Sequence, residues 1–561
     1  MAPSRRHALA IAVALALAVI HLGLHANLPQ IYWFAAPADA QHSLSGLLAT
    51  PLALDDDPMI TLRSALFVLR QGWPLFNPGD VAQASTSYLL PYLAAGLLAV
   101  LPGSGALLAL SLLGLLASLV SLAAVMLAAR NLLWGAFLAT LLALTSTLSL
   151  YAAQGWDHVY QTPFLLAGVA LALRGRPGSR LQALLLGLTL LVGCALRPDG
   201  GLIALACLAA WWLRARGESG AGLSRWLAPG AFLLPGAALL LANRLVFGHL
   251  TPTTSRLKIG AVTGLGPLLR YVADNALLSW SAMSCGLVLL LLLLSQRRQL
   301  NRPTRLVVAG AALSLLYAVL ASDVFGGFRM AWTPACCLAL VAALALDPPL
   351  AVRTPAPVPL ALAGLFLVAC ISFPPQLLGR LKGQRQFAPA SETAQQYELA
   401  RWIDGQLNPD DGAIGWYQLG TAFYLPRFAA ADFLGKADEA IATLPPHRGQ
   451  AVGHNKWDIP LTLRKWQPQA IVHAWAGDLA AAGERRTRTL AHAAREYANG
   501  AYYAHTLYDP AVRNGYQACV PRDRSGGGGW GLLLRNDLAE RHGAALQCLP
   551  LTDLPGVAPR P

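Results

Sequence analysis

Three carboxylates stand side by side at Asp55, Asp56 and Asp57, and Pro58 follows them directly. Adjacent Asp side chains can accept a proton from a hydroxyl, gather round a cation, or cap the start of a helix. Isolated cations occur later in the chain. Arg197 opens Arg197-Pro198-Asp199-Gly200, Arg256 and Lys258 sit in the stretch Phe247 to Gly260, and Arg329 closes Gly326-Gly327-Phe328-Arg329. Each of these can hold an anion or simply anchor the chain at a charged interface. Neither metal-ligand Cys spacing nor a His-Glu-x-x-His pairing occurs, so zinc is unsupported.

The elements that must position these groups are apolar. Of 561 residues, 55% are hydrophobic and 12% charged, whereas a soluble enzyme carries about 25% charged residues. That hydrophobicity excludes disorder, and eight Cys in so long a chain exclude a disulfide-framework miniprotein. Residues 1–374 carry 22 basic and 11 acidic residues, and residues 375–561 carry 20 and 17. The first part is therefore predicted to be an α-helical multi-span membrane domain, and the second a soluble α/β domain with strands near Ala413 to Tyr417 and Gln469 to His473. Eleven apolar runs read as spans, at about residues 8–24, 105–128, 131–150, 160–173, 181–196, 200–213, 226–246, 275–295, 306–322, 331–347 and 358–373.

A twelfth run, residues 88–101, is short, and whether it spans decides the side of every later loop. If it lies at the interface, one face of the membrane collects 14 basic residues, from Arg5 and Arg6 to Arg353, against only Glu218 and Asp347. The other face then carries eight basic residues against nine Asp. The positive-inside bias favours this arrangement. It gives eleven spans, a cytoplasmic N-terminus and an extracytoplasmic C-terminal domain in a bacterial inner membrane. The net charge of +14 is thereby mostly a topological marker and no sign of nucleic acid. Residues 1–27 could instead be a cleaved signal peptide, but a small-x-small cleavage site is lacking and an uncleaved first span is preferred.

The Asp triplet belongs to the face that the bias leaves nearly neutral. Asp at the N-cap, Pro58 at the first helical position, Arg70 in the last turn and Gly72 beyond it predict a helix of about 14 residues lying along the outer membrane surface. Three carboxylates beside lipid are costly unless solvated or matched by cations, and Arg197, Arg256, Lys258 and Arg329 fall on the same side. Together they suggest an anion such as a lipid phosphate held there. Cys519 and Cys548, both in the extracytoplasmic part, are predicted to form a disulfide.

These residues carry a family resemblance. Asp56-Asp57-Pro58-Met59-Ile60-Thr61-Leu62-Arg63, then Gly72 and Phe76-Asn77-Pro78-Gly79-Asp80, resembles the signature of GT-C membrane glycosyltransferases, above all the bacterial arabinofuranosyltransferases that use polyprenyl-phosphate arabinose. It continues through Gly155-Trp156-Asp157, Arg197-Pro198-Asp199-Gly200, and Phe247-Gly248 to Pro252-x-Thr254 with Lys258. It resumes at Ala413 to Tyr417, at Asp432-Phe433-Leu434-Gly435 and at Gly453-His454-Asn455-Lys456-Trp457, so the ordered set covers most of the chain. The chain departs from the family where Asp323 precedes Gly326 and Gly327, and where Ala84-Ser85-Thr86-Ser87 follows the Phe-Asn-Pro-Gly motif.

The resemblance implies a GT-C fold with outer juxtamembrane helices and an inverting transfer of a sugar, D-arabinofuranose, from a polyprenyl-phosphate donor to a glycan or protein hydroxyl on the outer face. It implies Asp56 as general base and Asp57 orienting the acceptor or a cation. Lys258, Arg197, Arg256 and Arg329 would surround the donor phosphate, while Asp157, His249, Arg63 and His454 would contact sugar or acceptor. A divalent cation (Mg, Mn or Ca), if present, would bind Asp56 and Asp57. A transferase of the same class using a lipid-linked hexose on lipopolysaccharide or protein stays open. A lipid-linked sugar flippase is the alternative of another class, although such proteins place ionisable groups near the bilayer midplane and here they gather at one end. A membrane-anchored binding protein leaves the Asp triplet unexplained.

Overall fold

The computed structural model describes residues 32–33, 52–53, 56–101, 103–145, 155–258, 281–320, 329–346, 392–447, 453–473, 475–481, 483–522 and 530–554. The runs expected to span at 8–24 and 358–373, the boundary near residue 375, and Asp55, Asp323 and Gly326 to Phe328 lie outside them.

Apolar sequence becomes helix over most of the first 346 residues. After a two-residue antiparallel pair, β1 (Tyr32–Trp33) and β2 (Leu52–Ala53), the chain forms α1 (Asp56–Gln71), α2 (Leu90–Val100), α3 (Gly103–Ala128), α4 (Leu132–Ala143), α5 (Asp157–Arg174), α6 (Arg180–Leu196), α7 (Gly201–Arg216), α8 (Ser224–Phe247), α9 (Thr253–Lys258), α10 (Ala282–Ser295), α11 (Arg302–Leu320) and α12 (Trp332–Ala345). Among the described residues, three helices are long and apolar enough to cross a membrane: Gly105–Ala128, Ser224–Phe247 and Arg302–Leu320. α8 leaves Leu233, Leu234, Leu241 and Leu245 exposed, as a helix does when its outer face meets lipid rather than water. α2 has 11 residues, about half of what a span requires. α12 is the most enclosed element, buried from Trp332 to Ala343.

α1 differs from its expected form in two ways. It begins at Asp56, so Asp56 and Asp57 are in its first turn and Pro58 is its third residue. Proline is tolerated there because the first-turn N–H groups have no intrahelical acceptor. α1 also does not lie as a surface helix. Met59, Ile60, Leu62, Ala65 and Phe67 are all buried, because α2 and α3 cover one side and the C-terminal unit the other.

That unit is α/β. Its six-stranded sheet has the order β4-β3-β5-β7-β6-β8, with β3 (Ile414–Trp416), β4 (Ala430–Asp432), β5 (Ala470–Ile471), β6 (Tyr516–Pro521), β7 (Leu532–Arg535) and β8 (Leu546–Pro550). β3 pairs in parallel with β4 and β5, and the remaining pairs are antiparallel. Strands paired in parallel are covered on both faces and read as unbroken apolar runs; β3 is buried throughout. A disulfide joins Cys519 of β6 to Cys548, its direct partner on β8.

Helical layer and sheet share a core. Ile60, Phe76 and Ala84 pack with Leu399, Trp416, Leu419, Phe428 and Ala430 of the C-terminal unit. Burial of this kind contributes about 1.5–3 kcal/mol for each large apolar side chain, and Phe76 is fully enclosed. The site lies at this seam.

Candidate active site

Helical periodicity sorts the residues of α1 between two surroundings. Asp56 and Arg63 are seven residues apart and share a face, the one turned to the C-terminal unit. The Asp56 carboxylate accepts the Gly420 N–H at 2.7 Å and the Lys436 ammonium at 2.6 Å. Asp57 is turned about 100° round the axis and joins Ile60 and Thr61 in lining a cleft of about 710 Å³. The Asp56 side chain is 13% exposed and that of Asp57 34%, so Asp57 is the carboxylate a ligand meets.

Cations ring Asp57. Arg329 donates to its Oδ2 at 2.8 Å and Lys436 lies 3.5 Å from its Oδ1. The Arg329 guanidinium also stacks 4.2 Å from the centre of the Trp156 ring, which fixes its plane. Burial pushes the Asp57 carboxyl up, but Lys436, Arg329, Lys258 and Arg197 outweigh it and hold the group well below the usual carboxylate range. Burial would lower Lys436, and Asp56 and Asp57 instead hold its ammonium well above its ordinary value. Asp57 is thus ionised and Lys436 protonated near neutral pH.

Lys436 comes from a turn built to present it. The buried Asp432 carboxylate accepts the N–H groups of Leu434 and Ala437 at 2.8 and 2.5 Å, wrapping the turn around itself. Gly435 has φ +78°, and a Cβ there would come within 2.8 Å of the Ala442 nitrogen. At the docking point a Cβ on Gly420 would meet the Asp56 carbonyl oxygen at 2.9 Å, so only glycine lets that 3₁₀ turn (Leu419–Tyr424) seat on the start of α1.

The residues singled out in the sequence divide by where they lie. Asp57, Asp157, Lys258, Arg329 and His454 all line the cleft, together with Lys436, Trp156, Thr86 and Thr254. Arg197 stands just behind, donating at 2.6 Å to Asp157 and 2.9 Å to Asp199, and lines an adjoining hollow of about 290 Å³ with Lys258, Thr86 and Thr254. It therefore orients Asp157 and borders the space below the cleft. Burial and the Lys436 ammonium, against an opposing Asp57, bring the His454 imidazole down to about 3, so it is neutral at physiological pH.

Others are engaged elsewhere. Arg256 pairs with Glu439, which also accepts from Thr253 at 3.1 Å and lies 3.5 Å from His249. Arg256 and His249 thus tie α9 and the loop before it to the short helix Glu439–Ala442 and do not line the cleft. Arg63 is fully enclosed. It donates to the carbonyls of Phe76 at 2.9 Å, Leu425 at 3.1 Å and Phe428 at 2.7 Å, to the carbonyl of Ala422, and to Asn77 Oδ1 at 3.3 Å. No atom of it reaches the cleft, so the contact it makes is structural. In the Gly453 to Trp457 motif, Lys456 and Trp457 are buried, at 4% and 7% exposed. Lys456 donates to the Ala442 carbonyl and Trp457 stacks on His447, which leaves Gly453 and His454 as that motif's contribution to the cleft.

Sequence reasoning passed over Lys436 and Glu439. Lys436 directly follows the Asp432-Phe433-Leu434-Gly435 motif, and a cation after a turn glycine was the available signal.

No family model matches this sequence, and no curated protein matches it. Among solved structures, one similar in shape is the archaeal oligosaccharyltransferase AglB from Archaeoglobus fulgidus in complex with an inhibitory peptide and a dolichol-phosphate. The TM-score is 0.48 at 11% identity, over 95% of this chain and 75% of that one. ArnT from Cupriavidus metallidurans gives 0.42 at 15% identity in the apo state, over 77% of this chain and 86% of that one. Bound to undecaprenyl phosphate it gives 0.43 at 15% identity, over 78% and 87%. These are likenesses of overall shape, and identities of 11% and 15% assign neither donor nor acceptor.

Proposed function

We propose that the chain is a membrane glycosyltransferase of the GT-C kind that moves a sugar, D-arabinofuranose, from a polyprenyl-phosphate donor to an acceptor hydroxyl outside the cytoplasm. One observation carries the reading: a single cleft at the edge of the helical layer is lined at once by an ionised carboxylate, Asp57, and by the cations Lys258, Arg329 and Lys436. A phosphate departing from an anomeric carbon needs cations, and the incoming hydroxyl needs a proton acceptor.

In the proposed step the acceptor oxygen bonds to the anomeric carbon as the bond from that carbon to the phosphate oxygen breaks, and the acceptor proton passes to Asp57. Asp57 is a weak base, yet an oxygen already bonding to an electron-poor carbon is acidic enough to give up its proton late in the step. The phosphate gains one negative charge as the carboxylate loses one. The surrounding cations, Lys258 and Arg329 above all, therefore keep the same total charge to balance. Asp57 takes the role that the resemblance implied for Asp56, because Asp57 lines the cleft while Asp56 is turned away from it, toward Gly420 and Lys436. Asp157, held by Arg197, is suited to accept hydrogen bonds from sugar hydroxyls, and His454 and Trp156 line the same cleft.

The test is donor consumption by membranes carrying wild type, Asp57→Asn or Asp56→Asn, with labelled polyprenyl-phosphate arabinose beside lipid-linked hexoses. Asp57→Asn is expected to lower turnover about 10²–10⁴-fold, the usual contribution of a general base, and more than Asp56→Asn does. Consumption of a hexose donor alone would replace arabinose in the reading, and retained turnover in Asp57→Asn would end the base assignment.

A further inference from the structure

We infer that the cation of the Asp56–Asp57 pair is the Lys436 ammonium, delivered by the C-terminal unit, and that the pair works without a bound divalent metal ion. The inference rests on the transfer reading for what the site does, but not for which cation it holds.

The residues do not fit a divalent ion. A hard cation such as Mg or Mn needs several oxygen ligands close around it. Here each of the four carboxylate oxygens already has a positively polarised partner: Gly420 N–H and Lys436 on Asp56, Lys436 and Arg329 on Asp57. The Lys436 nitrogen stands 2.6 Å from one carboxylate and 3.5 Å from the other, bridging them as a shared ion would. A divalent ion entering there would have to expel an ammonium that is 9% exposed and held by a wrapped turn. Among the described residues, no group of three or more His, Cys, Asp or Glu side chains is arranged to hold a metal.

The arrangement has a chemical consequence. A metal would coordinate the oxygen lone pairs that a base needs. An ammonium only donates hydrogen bonds to them, so Asp57 stays anionic and can still take a proton. Lys436 is thus a positioning residue, acting through the two carboxylates, and it makes docking of the C-terminal unit a condition for a working pair.

The experiment uses the full chain purified into lipid nanodiscs, with two readouts. The first is manganese binding without donor, by paramagnetic resonance, for wild type, Lys436→Met and an Asp56→Asn/Asp57→Asn control. The second is donor turnover with EDTA or with manganese added. Expected is no carboxylate-dependent manganese site in wild type and wild-type turnover indifferent to EDTA. Lys436→Met should fall about 10²-fold, as when one preorganised donor is removed, acquire a manganese site, and recover in part with manganese. Lys436→Arg should retain more turnover than Lys436→Met. A wild-type manganese site lost in the Asp control, or wild-type turnover abolished by EDTA and restored by manganese, overturns the inference. The EDTA decision, and the absence of any manganese site, need wild type alone and so stand even if the variants do not fold. If no donor is consumed under any condition, the transfer reading fails while the manganese measurement still decides the cation.

Discussion

Two buried cations hold α1 to the C-terminal unit, and they are held by opposite kinds of partner. Arg63 is surrounded by neutral oxygens, four carbonyls and one side-chain amide. Lys436 is surrounded by two carboxylates. A buried charge needs partners in either case. Carbonyls satisfy a guanidinium without creating any reactive group, so the Arg63 end is a clasp. Carboxylates that satisfy an ammonium remain able to take a proton, so the Lys436 end can do chemistry. The signature's first two residues and its arginine, seven and six residues apart on one helix, thus serve different ends.

The sharpest way to break this contrast is to remove Arg63. Arg63→Met removes the charged donor from four carbonyls in a buried seam, where those of Ala422 and Leu425 keep the N–H groups of Leu425 and Phe428, and hydrogen bonds to a charged group contribute about 1.5–3 kcal/mol each. The expected loss is on the order of 3–5 kcal/mol in thermal unfolding, with faster proteolysis at the seam. Asp57→Asn, by contrast, is expected to affect turnover far more than unfolding. If Arg63→Met unfolded like wild type and lost turnover only, clasp and site would have to exchange roles.

A smaller effect is expected at Asn77. Its amide donates to the Ala430 carbonyl at 2.9 Å and accepts the Ala430 N–H at 2.8 Å, pairing with β4 as a neighbouring strand residue would. Asn77→Ala should cost about 1–3 kcal/mol for the unmade bonds and leave the kcat/KM pH profile unshifted, which would mark it as part of the clasp.

The pH response gives the finest test. The folded value of Asp57 is below its ordinary 3.8, so its contribution to stability is complete above about pH 4 and is lost only as pH falls through the folded value. No acid limb from Asp57 is therefore expected in kcat/KM above pH 4, and Lys436→Met should bring one in. His454 acts over a higher window. Its folded value of about 3 is below the ordinary 6.5, so the unfolded chain takes up its proton first. The seam should lose stability as pH falls from about 6.5 to 3, and His454→Gln should flatten that dependence.

Much of this was legible in the sequence. The apolar runs at 105–128, 181–196 and 226–246 correspond to α3, α6 and α8, because long apolar stretches have few other solutions. Cys519 and Cys548 pair because β6 and β8 set them opposite one another. Half of the residues chosen for chemistry, Asp57, Asp157, Lys258, Arg329 and His454, converge on one cleft. What the sequence did not disclose is which of two adjacent Asp faces that cleft. The choice depends on what occupies the opposite side of α1, and the partners there, Gly420 and Lys436, are more than 350 positions away. Arg256 and His249 were misjudged for a related reason. Glu439, which engages both, stands on the short helix Glu439–Ala442, and nothing local to residues 249–256 announces it.

The distance along the chain between Asp56 and Lys436, 380 positions, bears on when in its lifetime the protein can act. A ribosome that has made every membrane helix has still not made the ammonium that completes the carboxylate pair. A chain truncated or misfolded in its last third keeps its anchors and its Asp residues yet has no assembled site. Under the proposed transfer, half-finished copies therefore carry an incomplete carboxylate pair.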